Sequence, residues 1–262
     1  MRVPIPLVAA LLVVALSACG NTDDSGDGGS AAAGGQLSGT LTVLAAASLT
    51  DVFTGLGDRL MDENPSLEVR FNFAGSSALA TQVVQGAPAD LFASANPQQM
   101  AVVTDAGLEA AEPEVFTGNV LEIAVPAGNP GGVAGLADFA DPDLVLAVCA
   151  AAVPCGAAAE EVFEAAGVTP VPDTEEEDVR AALTKVQLGE VDAALVYASD
   201  VRSAGSDVEG IPFPEAEEAV NDYPLCVLED APNPAAARAF AELVLSDEGQ
   251  QALTDAGFRP AP

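Results

Sequence analysis

The sequence predicts an α/β fold in two lobes. From residue 40 onward, short apolar runs rich in β-forming residues alternate with segments whose apolar residues recur at helical spacing. Such alternation is typical of buried, mostly parallel strands flanked by helices. The pattern restarts after Thr117 and Gly118, and a last strand and helix follow the second round. We therefore expect the chain to cross between the lobes near residues 117–119 and again near 212–223.

The first round is predicted to contain three strand–helix pairs. In the first pair Val52, Leu56 and Leu60 share one helical face, and Ser48 precedes them as a candidate N-cap. In the third pair Asn96-Pro97 supplies an N-cap followed by proline at the first helical position. The predicted strands are 40–47, 67–73 and 90–94, and the predicted helices begin after Ser48, at Gly75 and at Asn96-Pro97.

The second round follows the same alternation. A charged stretch at 173–178 precedes a helix in which Val179, Leu183 and Val186 share one face. The predicted strands are 120–126, 144–149, 191–197 and 211–213, with a further helix at 156–166. A returning strand is predicted at 225–228, followed by helices from Asn233-Pro234 to residue 245 and at 247–256.

The N-terminus has the pattern of a secretion signal. Arg2 is followed by an apolar run at 7–16, and small residues precede Cys19. The run is too short to remain as a spanning helix, since a bilayer core is about 30 Å thick. Because the pattern resembles that of bacterial lipoproteins, we predict a signal peptide at 1–18, lipidation of Cys19 and a flexible tether at 19–39, on the extracytoplasmic face of the cell membrane. The alternative is an ordinary signal peptide with a chance cysteine.

Charge and composition argue against several function classes. The 262-residue chain has 40 acidic and 8 basic side chains and a formal charge of −32, and removing Arg2 leaves −33. That balance opposes binding to nucleic acid and charge-driven association with anionic membranes. The chain has no histidine, which removes His-based triads and His-ligated zinc. We expect no enzyme, because neither Ser48 nor Ser76 lies in Gly-x-Ser-x-Gly and no motif links the single lysine, Lys185, to a serine.

Three cysteines follow Cys19. Cys149 and Cys155 lie six positions apart, and an oxidising compartment favours a local disulfide between them. Two buried thiols are the alternative, and a metal pair is disfavoured because no histidine or further cysteine lies nearby. Cys226 sits in an apolar run and is predicted to be a buried, unpaired core thiol.

Four strand-to-helix junctions are candidate anion sites. Each begins a helix after a small or hydroxyl residue, where unpaired backbone N–H groups and the helix dipole favour an anion. Singly the signal is weak, because a serine before a helix is usually only a cap. The junctions are 46–49, 75–77, 153–156 and 177–179.

In combination the junctions resemble the molybdate-binding proteins of bacterial ABC importers, the ModA type. Gly-Ala-Pro-Ala-Asp-Leu-Phe at 86–92 and Val-Tyr-Ala-Ser-Asp at 196–200 carry most of the resemblance. It extends over residues 40–260 and rests on six segments in the family's order: 43–50, 73–79, 86–95, 153–156, 177–183 and 195–200.

That resemblance implies a two-lobe periplasmic-binding-protein fold of type II, with an oxyanion in the cleft. Lobe I would comprise 40–118 and 219–262, and lobe II 119–218. The implied ligands are neutral donors: the hydroxyl and backbone N–H of Ser48 and Ser76, the backbone N–H of Cys155 and Val179, and the phenolic O–H of Tyr197. Cys155 stands where the family commonly has alanine, which matters little if only its amide is used. A disulfide to Cys149 would stiffen the loop that presents this amide.

The implied function is capture of molybdate or tungstate by a monomer and delivery to an ABC permease in the membrane. No cofactor is expected, and molybdenum would enter only within the oxyanion, without a direct bond to the protein. Many charge-assisted hydrogen bonds suit a desolvated dianion, and a rigid donor set can reject the smaller sulfate. Ferric iron would need clustered phenolates and carboxylates, whereas the chain has two tyrosines. A sulfate- or phosphate-binding protein of the same fold is the alternative.

Overall fold

Residues 36–262 are described by this computed structural model, and they form two five-stranded sheets flanked by helices. The predicted signal peptide, Cys19 and most of the predicted tether lie outside these residues. The strands are β1 (Ser38–Ala46), β2 (Ser66–Ala74), β3 (Leu91–Ala93), β4 (Glu114–Asn119), β5 (Leu121–Pro126), β6 (Leu146–Cys149), β7 (Thr174–Glu176), β8 (Ala193–Tyr197), β9 (Val208–Ile211) and β10 (Asn221–Val227). The helices are α1 (Thr50–Glu63), α2 (Ser76–Val84), α3 (Pro97–Thr104), α4 (Pro154–Ala166), α5 (Val179–Gln187), α6 (Ala198–Ala204), α7 (Pro234–Leu245) and α8 (Asp247–Asp255). Within this part of the chain, no helix combines the length and apolar character needed to cross a membrane.

The first sheet has the strand order β2-β1-β3-β10-β4. β1 pairs in parallel with β2 and β3, whereas β10 returns from the other sheet and pairs antiparallel with β3 and β4. Ala46 and Ala74 are in register at the carboxyl ends of β1 and β2. The helical segments that follow these two strands therefore begin side by side at one edge of the sheet. We call this sheet, with α1, α2, α3, α7 and α8, the first lobe.

The second sheet has the order β7-β6-β8-β5-β9 and, with α4, α5 and α6, forms the second lobe. β6 pairs in parallel with β7 and β8, and β5 pairs antiparallel with β8 and β9. The two-lobe α/β prediction is confirmed. The sheets are mixed rather than mostly parallel, because in each lobe one strand adjoining a crossing runs against the strands of the β–α–β units.

Each lobe has its own apolar core beneath covering helices. Every residue of β3 and of β8 is buried, as expected for central strands covered on both faces. In the first lobe Phe53 packs against Phe116 and Phe240, with ring centroids 5.8 and 5.3 Å away. The burial of these large rings anchors α1 and α7 on the sheet. The packing therefore supports the edge of the sheet at which the helices begin.

The two crossings lie beside each other. Only Val120 separates β4 from β5, and Asn119 at the end of β4 is opposite Asn221 at the start of β10. Both asparagines are buried. The Asn119 side chain donates to Ser199 Oγ at 2.8 Å and accepts from the Val120 amide at 3.0 Å. The lobes are thus joined by two adjacent, hydrogen-bonded strands, the geometry of a hinge.

Several elements differ from the sequence prediction. The predicted crossing at 117–119 is the second half of strand β4, whose first half no pattern predicts. β10 begins four residues before the predicted strand. Pairing between β4 and β10 creates strand structure that the periodicity of neither segment reveals. β7 lies in the charged stretch and pairs only with β6, so it is an edge strand that tolerates acidic side chains. The short helix α6 was not predicted. β1 begins at Ser38, inside the predicted tether.

The predictions for Cys149, Cys155 and Cys226 are confirmed. Cys149 and Cys155 form a disulfide with Cα atoms 5.7 Å apart, which links the end of β6 to the first turn of α4. Cys226 is unpaired and buried, and its burial raises the pKa of the thiol to about 12. The disulfide therefore braces the junction at 153–156, and Cys226 acts as a small core residue.

Candidate functional site

A small, partly open cavity lies between the carboxyl edges of the two sheets. All five residues predicted to bind the ligand line it, and each is at most 4% exposed. The first lobe contributes Ala46, Ala47, Ser48, Ala74, Gly75, Ser76 and Ala95, and the second lobe contributes Val153, Pro154, Cys155, Asp178, Val179 and Tyr197. The structure thus gathers residues that are up to 151 positions apart in sequence into one site.

Three helix N-termini face this cavity, and each has at least one backbone N–H that no side chain caps. α2 begins at Ser76 and α4 begins one residue before Cys155, and neither has a side-chain cap. In α5 the Asp178 carboxylate accepts from the Arg180 and Ala181 amides, which leaves the Val179 amide without that partner. The first N–H groups of a helix have no intrahelical acceptor, and the helix dipole makes them electropositive. These ends are suited to an anion.

Ser48 does not cap α1, so that sequence prediction is wrong. Ser48 lies within a 3-10 turn at Ala47–Leu49, and α1 begins after it at Thr50. Because this turn carries the chain from β1 into α1, the Ser48 hydroxyl points to the cleft, 3.0 Å from the Tyr223 hydroxyl. Either oxygen can donate in that pair, so Tyr223 can hold Ser48 with its proton turned toward the cavity.

The Ser76 hydroxyl accepts one hydrogen bond from the protein. Its oxygen accepts from the Ala95 amide at 3.0 Å, at the point where the chain leaves β3. A serine oxygen that accepts in this way keeps its own proton for another partner. Ser76 therefore presents both a hydroxyl proton and its backbone N–H at the start of α2.

Tyr197 ends β8, and its phenolic oxygen accepts from Asn221 Nδ2 at 3.0 Å. The same amide nitrogen donates to the Ala95 carbonyl at 2.8 Å, so Asn221 is fixed against both lobes. Burial, followed by the nearby Tyr223 and Asp200, raises the pKa of Tyr197 well above its usual value. Tyr197 therefore stays protonated at physiological pH and can act only as a neutral donor toward an anion.

Sequence reasoning missed the residues that orient the donors, namely Tyr223 and Asn221. Both lie in the part of β10 that was interpreted as a crossing. The available signal was Tyr223 itself, one of only two tyrosines in a chain that is poor in aromatic residues. Its partner Ser48 is 175 positions away, and no local pattern reveals that contact.

The lobes touch at the rim of the cavity. A Cβ added to Gly75 in the first lobe would overlap the carbonyl oxygen of Glu177 in the second. Gln99 Nε2 also donates across the cleft to the Ala152 carbonyl, at 3.3 Å. The backbone conformation of Gly75, φ −58° and ψ 133°, is open to any residue. The glycine is therefore required here by the close approach of the two lobes.

The arrangement suits anion binding. No cluster of three or more His, Cys, Asp or Glu side chains that could hold a metal ion occurs within residues 36–262. The partners of the two serine hydroxyls are the Tyr223 hydroxyl and the Ala95 amide, neither of which is a general base. Neutral hydroxyl and amide donors, backed by helix dipoles, are a suitable environment for a tetrahedral oxyanion.

Comparisons with known proteins agree with this architecture. A family model described as bacterial extracellular solute-binding protein matches residues 41–259. The chain is 42% identical to the molybdate-binding protein ModA of Mycobacterium tuberculosis H37Rv, over 96% of this chain and 95% of the relative. The Azotobacter vinelandii periplasmic molybdate-binding protein aligns with a TM-score of 0.73 at 16% identity, over 85% of this chain and 100% of that structure. The sulfate-binding protein SubI from M. tuberculosis H37Rv aligns with a TM-score of 0.70 at 19% identity, over 84% and 86%. At these identities the two structures show the fold alone.

Proposed function

Because the chain belongs to the ModA family of bacterial extracellular solute-binding proteins, we propose that it captures molybdate between its lobes and delivers it to the membrane permease of an ABC importer. The observation that carries this proposal is the convergence of five neutral donor residues from both lobes on one buried cavity. A dianion between two lobes supplies the attraction that closes them, and an open form releases it again.

The proposed ligands divide by chemistry. Ser48, Ser76 and Tyr197 donate through hydroxyl groups, and the two serines also donate their backbone N–H. Cys155 and Val179 donate through backbone N–H groups alone. The hydrogen bond from Asn221 supports the role of Tyr197, because it leaves the phenolic proton free for the anion. The pair of Ser48 and Tyr223 supports the role of Ser48, because the Ser48 proton is free when Tyr223 donates. A cysteine at position 155 is compatible because its sulfur is bonded to Cys149.

We propose molybdate and tungstate as the ligands, with sulfate and phosphate excluded by size and by protonation. The bracing of the donors supports this selectivity, since a rigid set of donors does not shorten all its bonds around a smaller ion. Hydrogen phosphate also carries a proton, which would leave one of its groups facing donors only. The alternative, a sulfate- or phosphate-binding protein of the same fold, is tested by the calorimetric titration described below.

The lobe boundaries and the membrane anchor are further parts of the proposal. Residues 40–118 and 219–262 would move as lobe I and 119–218 as lobe II, which is supported by the strands in each sheet. The mature protein would be a monomer tethered by a lipid on Cys19. Changing Cys19 to Ser should shift the protein from the membrane fraction to the soluble fraction of cells. Equal partitioning of the two forms would contradict the anchor.

Isothermal titration calorimetry on the mature chain tests the ligand. We expect molybdate and tungstate to bind with micromolar or tighter dissociation constants, and sulfate and phosphate at least about a hundredfold more weakly, a difference of about 2.7 kcal/mol. Competition by sulfate at equal concentration would contradict molybdate selectivity and favour the sulfate-binding alternative.

A further inference from the structure

Arg180 lies next to one proposed ligand residue, Val179, and contacts residues close to two others. Arg180 is the second residue of α5 and directly follows Val179. Its Nη2 donates to Asp51 Oδ2 at 2.6 Å, and its Nε lies 2.9 Å from Asp200 Oδ1. The Nε–H direction lies off the line to Asp200, so this second contact is an ion pair rather than a linear hydrogen bond.

The contact between Arg180 and Asp200 organises the second lobe. Asp200 is fully buried in the first turn of α6, and its other oxygen accepts from the Tyr197 amide at 3.1 Å. Through this carboxylate Arg180 is connected to the end of β8. This connection fixes the start of α5, which carries the Val179 amide, relative to Tyr197.

The contact between Arg180 and Asp51 joins the two lobes. Asp51 lies in the first turn of α1, three residues after Ser48, and its side chain is 60% exposed. The pair spans the cleft at the side where α1 and α5 begin. Opening of the cleft would separate Asp51 from Arg180, whereas Asp200 would move together with Arg180 because both lie in the second lobe.

We infer that Arg180 is a positioning residue that latches the closed lobes around the ligand. The inference rests on the proposed molybdate site. In the open form Arg180 keeps Asp200 and holds the second-lobe donors in place. In the closed form it also binds Asp51, so the Ser48 side of the cavity is drawn onto the Val179 side. An interaction made only in the closed form shifts the population toward that form and prolongs ligand residence.

Three variants separate the latch from a purely structural role. Asp51→Asn removes the charge attraction between the lobes and leaves the Asp200 pair intact. Arg180→Gln removes both contacts. Glu248→Gln is the matched control, because Glu248 on α8 pairs with Arg59 on α1 at 3.0 Å, entirely within the first lobe.

Molybdate affinity and dissociation rate are measured by calorimetry and stopped-flow, and the melting temperature is measured without ligand. We expect Asp51→Asn to weaken binding by about two- to fivefold, the range for a partly exposed ion pair. The loss should come from faster dissociation, with the ligand-free melting temperature unchanged. Arg180→Gln should weaken binding further and lower that temperature, because Asp200 loses its cation. Glu248→Gln should bind as the parent does.

The double variant Asp51→Asn/Arg180→Gln tests whether the two residues act through each other. If Arg180 acts through Asp51, then Asp51→Asn adds no further loss of affinity in the Arg180→Gln background. Additive losses, or an Asp51→Asn variant with the parent's dissociation rate, would overturn the latch. Failure of the parent protein to bind molybdate would instead overturn the proposed function, so the two failures are distinguishable.

Discussion

Replacing Gly75 with alanine should impair ligand binding without harming the fold. Gly75 precedes α2 at the cavity rim, and its φ of −58° and ψ of 133° are ordinary values for alanine. The added methyl group would overlap the Glu177 carbonyl oxygen of the opposite lobe, while the Val153 Cγ1 atom at 3.4 Å is an ordinary contact. The obstruction therefore comes from one backbone atom across the cleft and exists only when the lobes are closed.

The loss of binding free energy can be estimated from mutations that overpack a filled site. Forcing one extra methyl into a filled contact typically costs about 1–3 kcal/mol, which corresponds to a weakening of about five- to 150-fold in the dissociation constant. Because a backbone carbonyl cannot rotate aside as a side chain can, we expect values above the lower end of this range. The ligand-free protein should instead gain up to about 1 kcal/mol, because alanine restricts the unfolded chain.

Calorimetry with molybdate and thermal denaturation without ligand measure the two effects separately. Gly55→Ala is the matched control, because Gly55 lies within α1 and an added Cβ there meets no atom within 4 Å. That control should be stabilised and bind molybdate as the parent does. A Gly75→Ala protein with the parent's affinity would refute the argument that the lobes must approach this closely.

Three further predictions concern the donors, the disulfide and the buried acid. Ser48→Ala, Ser76→Ala and Tyr197→Phe should each weaken molybdate binding by about ten- to a hundredfold in calorimetry, since a charged oxygen loses a partner worth about 1.5–3 kcal/mol; unchanged affinity in all three would contradict the donor set. Replacing Cys149 and Cys155 together with alanine should lower the free energy of unfolding by about 2–3 kcal/mol in urea denaturation and still allow binding. Burial raises the pKa of Asp200 from 3.8 to about 7, against the lowering effect of Arg180 and with Asp51 and Asp178 adding to the rise. The folded form then holds a proton that the unfolded chain has lost, so the free energy of unfolding should fall as pH rises from about 4 through about 7, and Asp200→Asn should flatten that part of the profile.

The sequence was informative wherever function depends on the start of a helix. Ser76, Cys155 and Val179 are the first or second residues of their helices. The residues directly before them, Gly75, Pro154 and Asp178, are types that favour the start of a helix. At these sites the proposed contact includes a backbone N–H, whose direction is set by the local conformation. The five predicted donors therefore lie together once the strands are aligned.

Contacts between distant segments could not be predicted in this way. Ser48 meets Tyr223 across 175 positions, and Arg180 meets Asp51 across 129. The strand β4 has no distinct period of its own and exists because β10 returns to pair with it. The close approach of Gly75 to Glu177 likewise arises only after both lobes have folded. These features arise from tertiary packing, which no short window of sequence records.

The strongly negative charge of the chain is compatible with a dianion in its cleft because the cleft itself is built differently from the surface. The five proposed donors are neutral, and Asp178, the carboxylate that lines the cavity, accepts two backbone N–H groups of α5. The first turns of α2 and α4 have neither a side-chain cap nor an acidic residue, so their amides supply partial positive charge to the cavity. Repulsion from the acidic surface acts on the approach of the anion and is screened by salt within about 10 Å at 0.1 M. The hydrogen bonds inside the closed cavity are shielded from solvent, so surface charge governs the rate of capture and the donor set governs the lifetime of the complex.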